Sequence, residues 1–172
     1  TPPHEFLREQ LAAVFDDVTV DAVKIGMLGD VDTIAVVCDT LAARPAGHVV
    51  LDPVMVASSG DRLLDQDAEA GVRELVRLVD VITPNLRELA VLCGTDMAGD
   101  LDEAIAQAAG LAADAGTTVI VKGGHLTGSA ADNAVVHPDG TVHHVPTARI
   151  DTANTHGTGC SLSAALATRM AA

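Results

Sequence analysis

Apolar positions along the 172-residue chain alternate between helical spacing and short continuous runs, and the switches mark its elements. Phe6, Leu7, Leu11, Val14 and Phe15 recur at threes and fours from Pro3 onward, which predicts an amphipathic helix with both phenylalanines in the core. Ala22 to Ile25 reads as a strand, and the turn Gly26-Met27-Leu28-Gly29 leads to a helix over Val31 to Ala43. Pro45 and Gly47 end that helix before a second strand, His48 to Leu51. A helix from Asp67 to Val79 turns Val72, Leu75, Val76 and Val79 inward, and the strand Val81 to Thr83 follows. Pro84 opens a short helix that ends near Cys93-Gly94. Leu101, Ala104, Ile105, Ala108, Leu111 and Ala112 define a helix from Asp100 to Gly116, ahead of the β-branched strand Thr117 to Val121. Ala134 to His137 and Thr141 to Val145, joined through Pro138-Asp139-Gly140, predict a hairpin. The last helix runs from Ser161 to Ala172, with Leu162, Ala165, Leu166 and Met170 at packing intervals.

Alternating strands and helices without internal repeat or low-complexity linker predict a three-layer α/β domain with a mainly parallel sheet and helices on both faces. Apolar residues make up 48% of the chain, yet there are two Phe and no Trp or Tyr, so the core falls to Val, Ile, Leu and Ala. A net charge of −14 argues against nonspecific binding to nucleic acid or to anionic membranes. It also means that a phosphorylated ligand needs local help from amides, lysine or a metal. Cys38, Cys93 and Cys160 are far apart and form no Cys-x-x-Cys pair, which indicates neither zinc nor a disulfide framework and favours a reducing cytoplasm. No apolar run is long enough to span a bilayer and no signal peptide is evident. The chain opens at Thr1 and stops inside a predicted helix, so the reading is one domain over 1–172, truncated at both ends.

The candidate chemistry centres on Asn154-Thr155-His156-Gly157-Thr158-Gly159-Cys160, a loop feeding a helix N-terminus. Free amides and the positive end of the helix dipole suit a phosphate or a developing anion there, although glycines followed by a small polar residue also open ordinary helices. A thiol in a first helical turn meets conditions that favour the thiolate, which makes Cys160 a candidate base, with a small core residue as the plain alternative. Asp52 ends the second strand, where it can serve phosphate or metal chemistry or merely cap a turn. Asn85 and Glu88, three apart, can share a ligand or form a capping box, and the two uses are compatible. Lys122 ends its strand beside Gly123 and Gly124 and can meet a phosphate, though solvated lysines are commoner. Met27 lies after a strand's carboxyl end, where ligands bind in such sheets, or simply fills a gap.

Lys24-Ile25-Gly26-Met27-Leu28, Asp52-Pro53-Val54-Met55, Thr83-Pro84-Asn85-Leu86-x-Glu88, Lys122-Gly123-Gly124-His125 and the Asn154 to Cys160 loop together resemble the hydroxymethylpyrimidine and phosphomethylpyrimidine kinases of thiamin biosynthesis, in the ribokinase-like superfamily. The five stretches occur in that family's order and spacing and cover almost the whole chain. The resemblance implies a ribokinase-like fold and ATP-dependent phosphorylation of 4-amino-5-hydroxymethyl-2-methylpyrimidine and of its monophosphate. It makes Gly157, Thr158 and Gly159 the anion hole, with Cys160 where related enzymes carry a catalytic aspartate. Met27 and Val54 are then expected at the pyrimidine, Asn85, Lys122, Gly124 and Thr155 at ATP, and Glu88 and Asp52 at Mg²⁺. A homodimer is the expected assembly. Two other functions stay open on the sequence: a pyridoxal or pyridoxine kinase, and a noncatalytic nucleotide-binding fragment.

Overall fold

A computed structural model describes residues 3–55, 64, 66–125, 131–152 and 157–172, the side chains of Gln66 and His125 excepted. In chain order the elements are α1 (His4–Asp17), β1 (Ala22–Ile25), α2 (Val31–Ala43), β2 (His48–Leu51), α3 (Gln66–Val76), β3 (Val81–Ile82), α4 (Leu86–Cys93), α5 (Leu101–Ala115), β4 (Thr118–Val121), a 3₁₀ turn (Gly123–His125), β5 (Asn133–Val136), β6 (Val142–Val145) and α6 (Thr158–Met170). The six strands lie side by side in sequence order, with β1 to β4 parallel and β5 and β6 added antiparallel as the expected hairpin.

Strand alternation divides the apolar side chains between two layers. Val23, Ile25, Val49, Leu51, Ile82, Val119, Val121, Ala134 and Val136 face one core, filled by residues of α2 to α5 such as Ile34, Leu75, Leu89 and Ala108. Val50 and Val81 face the other way, against Ala167, Leu166 and Met170 of α6. Helices therefore cover both faces, in a mixed α/β sheet with a core of branched aliphatics and alanine, as composition required.

Local signals fix the element ends. Asp30 and Asp100 cap α2 and α5 by accepting from the amides of Thr33 and Glu103, both at 2.8 Å. Gly94 and Gly116 end α4 and α5 in left-handed conformation, with φ of 67° and 72°, which side chains rarely adopt.

Three expectations need correction. The phenylalanines are not core: no residue of α1 is buried, Phe6 is half exposed, and Phe15 is half-buried. The helix packs on α2 rather than on the sheet, and a cavity of about 220 Å³ lined by Leu11, Phe15, Val23, Leu28, Val37 and Leu41 lies along the seam. Second, α3 ends at Val76 rather than Val79, and Val79 still reaches the core from the turn. Third, α6 begins at Thr158 and turns Ser163 and Ala167 inward, while Leu162 is 45% exposed. The expected Leu166 and Met170 do pack against the sheet, but the fully inward positions are the small residues Ser163 and Ala167.

Candidate active site

All the parallel strands point their carboxyl ends to one edge of the sheet, and four chain crossings meet there. Asp52 directly follows β2 and extends its ladder by donating its amide to Ile25 O at 2.9 Å. Thr83 follows β3 and does the same to Leu51 O at 3.0 Å. Lys122 follows β4, and an isolated parallel bridge ties it to Asn85 at the head of α4. The fourth crossing is α6, whose N-cap Gly157 has φ 76°, so a glycine is needed to turn the loop into the helix.

The carboxylate of Asp52 is 2% exposed, and Oδ1 sits 3.3 Å from Lys122 Nζ. Burying such a charge without a partner would be costly, and the lysine supplies the partner. A Cβ built on Gly159 would lie 3.3 Å from Lys122 Nζ and 3.6 Å from Asp52 Oδ2, so the first turn of α6 rests on this ion pair. The lack of a side chain at Gly159 is what permits that approach. Its amide belongs to the helical turn whose N–H groups have no intrahelical acceptor.

Glu88 and Asn85 form the capping box in full: Asn85 Oδ1 accepts from the amides of Arg87 and Glu88, and Glu88 Oε2 accepts from the Asn85 amide at 2.8 Å. The cap is not all that Glu88 does, because it is 3% exposed and faces the Asp52 and Lys122 charges. Its carboxyl is pushed up to about 7, chiefly by burial and in part by the Asp52 charge, against the opposing pull of the Asn85 amide and Lys122. Two carboxylates crowded together, one reluctant to ionise, are hard oxygen donors that suit a divalent cation such as Mg²⁺. Among the described residues no third His, Cys, Asp or Glu joins them, so the remaining ligands would be water and phosphate oxygens.

The other expected positions fall around this cluster. Gly157, Thr158 and Cys160 belong with Gly159 to the cap and first turn of α6, and Cys160 is exposed. Cys38 and Cys93 differ, since partial burial pushes both of their thiols up. Met27 and Val54 follow the ends of β1 and β2, whose last residues Ile25 and Leu51 are paired. Met27 is 61% exposed and Val54 half-buried, so the two line the rim of the edge rather than its floor. Gly124 lies in the 3₁₀ turn, its carbonyl accepting from Arg149 at 2.9 Å. Thr155 lies outside the described residues. His143 and His144 pair with Val135 and Ala134 and so face opposite sides of the hairpin, as expected.

Sequence reasoning passed over two hydroxyls. Thr83 Oγ1 donates to Asp52 Oδ1 at 3.3 Å, and Ser163 Oγ, fully buried, lies 3.5 Å from Asp52 Oδ2. Thr83 closes a strand just before the Pro84-Asn85 helix start, which was the available signal. Ser163 was hidden by the apolar spacing that selected Leu162.

The family model for phosphomethylpyrimidine kinase matches residues 1–172. The chain is 66% identical over its whole length to the thiamine biosynthesis multifunctional protein ThiED of Corynebacterium efficiens, of which it spans 23%. It is 46% identical over 97% of its length to the hydroxymethylpyrimidine/phosphomethylpyrimidine kinase of Rhizobium meliloti, and spans 62% of that protein. Among solved structures, Bacillus subtilis pyridoxal kinase in complex with ADP superposes with a TM-score of 0.89 at 35% identity, covering 97% of this chain and 63% of that one. The fold, the buried carboxylates under a glycine-rich helix start and these likenesses agree: the chain belongs to the phosphomethylpyrimidine kinase family.

Proposed function

We propose that the chain forms most of a kinase that uses ATP to phosphorylate 4-amino-5-hydroxymethyl-2-methylpyrimidine and then its monophosphate. The observation that carries this reading is the Asp52–Lys122 ion pair lying directly beneath Gly159 in the first turn of α6, with buried Glu88 beside it. It brings a lysine, two carboxylates and the start of a helix within one small volume, as phosphoryl transfer requires. The names of the Corynebacterium and Rhizobium relatives support the substrate.

On this reading Lys122, Asn85, Gly124 and Thr155 meet the nucleotide, and Glu88 and Asp52 hold the magnesium ion. That ion, when bound, neutralises phosphate charge. The hydroxymethyl oxygen attacks the γ-phosphorus as the bond to the β,γ-bridging oxygen breaks, and ADP carries away the released electron pair. Cys160 acts as the base that takes the hydroxyl proton, while the amides of Gly157, Thr158 and Gly159 stabilise the oxygens of the transferring group. Met27 and Val54 hold the pyrimidine edge. The protein works in the cytoplasm and forms a homodimer. No described helix is long and apolar enough to cross a membrane.

The likeness to pyridoxal kinase favours a second reading, in which the ring is pyridoxal. Calorimetric titration of the complete polypeptide separates the two. The first reading expects micromolar binding of the aminopyrimidine and far weaker binding of pyridoxal, and the reverse order would replace it with the second.

A further inference from the structure

Ser163 is the fully buried polar residue of a helix otherwise rich in alanine, with Ala164, Ala165 and Ala167 around it. Alanine at this position would have the better helix propensity and no polar atom to satisfy. The hydroxyl has one proton and three acceptors in reach, the carbonyls of Gly159 and Cys160 at 3.1 Å and Asp52 Oδ2 at 3.5 Å. A back-bond to a helix carbonyl is how serine is commonly satisfied inside a helix. Here a buried carboxylate lies within reach as well, at 3.5 Å, so the hydroxyl that bonds back into its own helix also faces Asp52.

The distribution around Asp52 is uneven in a way that gives Ser163 a use. Lys122 Nζ and the Thr83 hydroxyl both approach Oδ1, each at 3.3 Å. Ser163 addresses Oδ2, the oxygen nearest the position a Cβ of Gly159 would take. The contact joins the helix that carries Gly159 and Cys160 to the carboxylate at the end of β2.

We propose that Ser163 is a positioning residue of this site: its hydroxyl holds Oδ2 of Asp52 while Lys122 and Thr83 hold Oδ1, and so sets the carboxylate against the first turn of α6. The proposal rests on the reading of Asp52 as a ligand for the metal that accompanies the nucleotide. Its test uses the complete polypeptide and three variants, Ser163→Ala, Asp52→Asn and the double variant. The readout is the affinity for Mn²⁺ in the presence of ADP, followed by electron paramagnetic resonance. Ser163→Ala is expected to weaken Mn²⁺ binding about 10-fold, as outer-shell partners of metal ligands do, with an unchanged melting transition. The same substitution in the Asp52→Asn background is expected to change nothing further, because the carboxylate that the hydroxyl positions for the metal is gone. Wild-type affinity in Ser163→Ala, or an equal loss in both backgrounds, overturns the proposal and leaves Asp52 as a ligand. Wild-type affinity in Asp52→Asn overturns both. Ser163→Cys, which keeps the volume and weakens the donor, carries the same comparison if the alanine variant does not fold.

Discussion

Cys160 differs from the other cysteines in where the chain puts it. Cys38 and Cys93 are half-buried among apolar side chains, whereas Cys160 is exposed in the first turn of α6, one residue from the glycine that touches the Asp52–Lys122 pair. Replacement by serine keeps the backbone amides and nearly the size, but serine is a far weaker acid. If the thiolate takes the substrate proton, Cys160→Ser lowers kcat by a factor on the order of 10² to 10⁴ while ATP still binds. Steady-state turnover beside nucleotide titration reads both, and an unchanged kcat would leave only the amides.

Glu88 allows a test independent of catalysis. Its folded carboxyl keeps the proton up to about pH 7, against an ordinary value of 4.5. Between those values the folded state binds more protons than the unfolded one, so stability falls as pH rises, by on the order of 3 kcal/mol across the window, and is flat beyond it. Glu88→Gln keeps an acceptor for the Asn85 amide and removes the titration. Urea unfolding at pH 5 and pH 7.5 is therefore expected to show a smaller loss in the variant than in the wild type, while magnesium-dependent turnover drops sharply. Equal losses in the two proteins would mean that Glu88 is ionised in the fold at both pH values.

Among the elements, α4 and α6 carry the site, and they were readable to different depths. The Asn85-x-x-Glu88 spacing announced a cap, and the cap is present; that the same carboxylate is buried against Asp52 and Lys122 required β2 and β4 to be brought beside it. For α6 the glycines marked a loop entering a helix, which starts three residues earlier than expected, and its buried face centres on Ser163 and Ala167, with Leu166 and Met170 packed beside Val50 and Val81. The first helix misled for a related reason: periodicity reports an apolar face and not what covers it, so Phe6 and Val14 remain about half exposed. Gly159 is the tightest point of α6. Gly159→Ala forces Lys122 Nζ to give way from 3.3 Å, which a flexible side chain can do, so the protein should fold with the ion pair displaced. The expected outcome is a KM for ATP raised about 10-fold or more, with a melting temperature close to wild type. A large fall in melting temperature with KM intact would assign Gly159 to packing alone.

For the molecule as a whole, the charge of −14 and the two carboxylates of the site bear on the proposed function: on that reading ATP arrives with its cation. Removal of magnesium by a chelator should thus weaken ATP binding much more than binding of the uncharged pyrimidine, and equal effects in calorimetry would argue against a metal at Asp52 and Glu88. The mainly parallel sheet, the hairpin and the strand-end positions of Asp52 and Lys122 could be read from the chain, because a parallel sheet sends every strand's carboxyl end to one edge, whereas the order of the strands came only with the structure. The Asp52–Lys122 contact spans 70 positions of sequence and has no local signature. The most direct check of the proposed activity is the product formed by the complete polypeptide with ATP and magnesium, followed by mass spectrometry. Offered the aminopyrimidine and pyridoxal together at equal concentration, the enzyme should convert the pyrimidine to its monophosphate and then its diphosphate well ahead of any pyridoxal phosphate. Pyridoxal phosphate as the main product, or no phosphorylated product at all, would contradict the account.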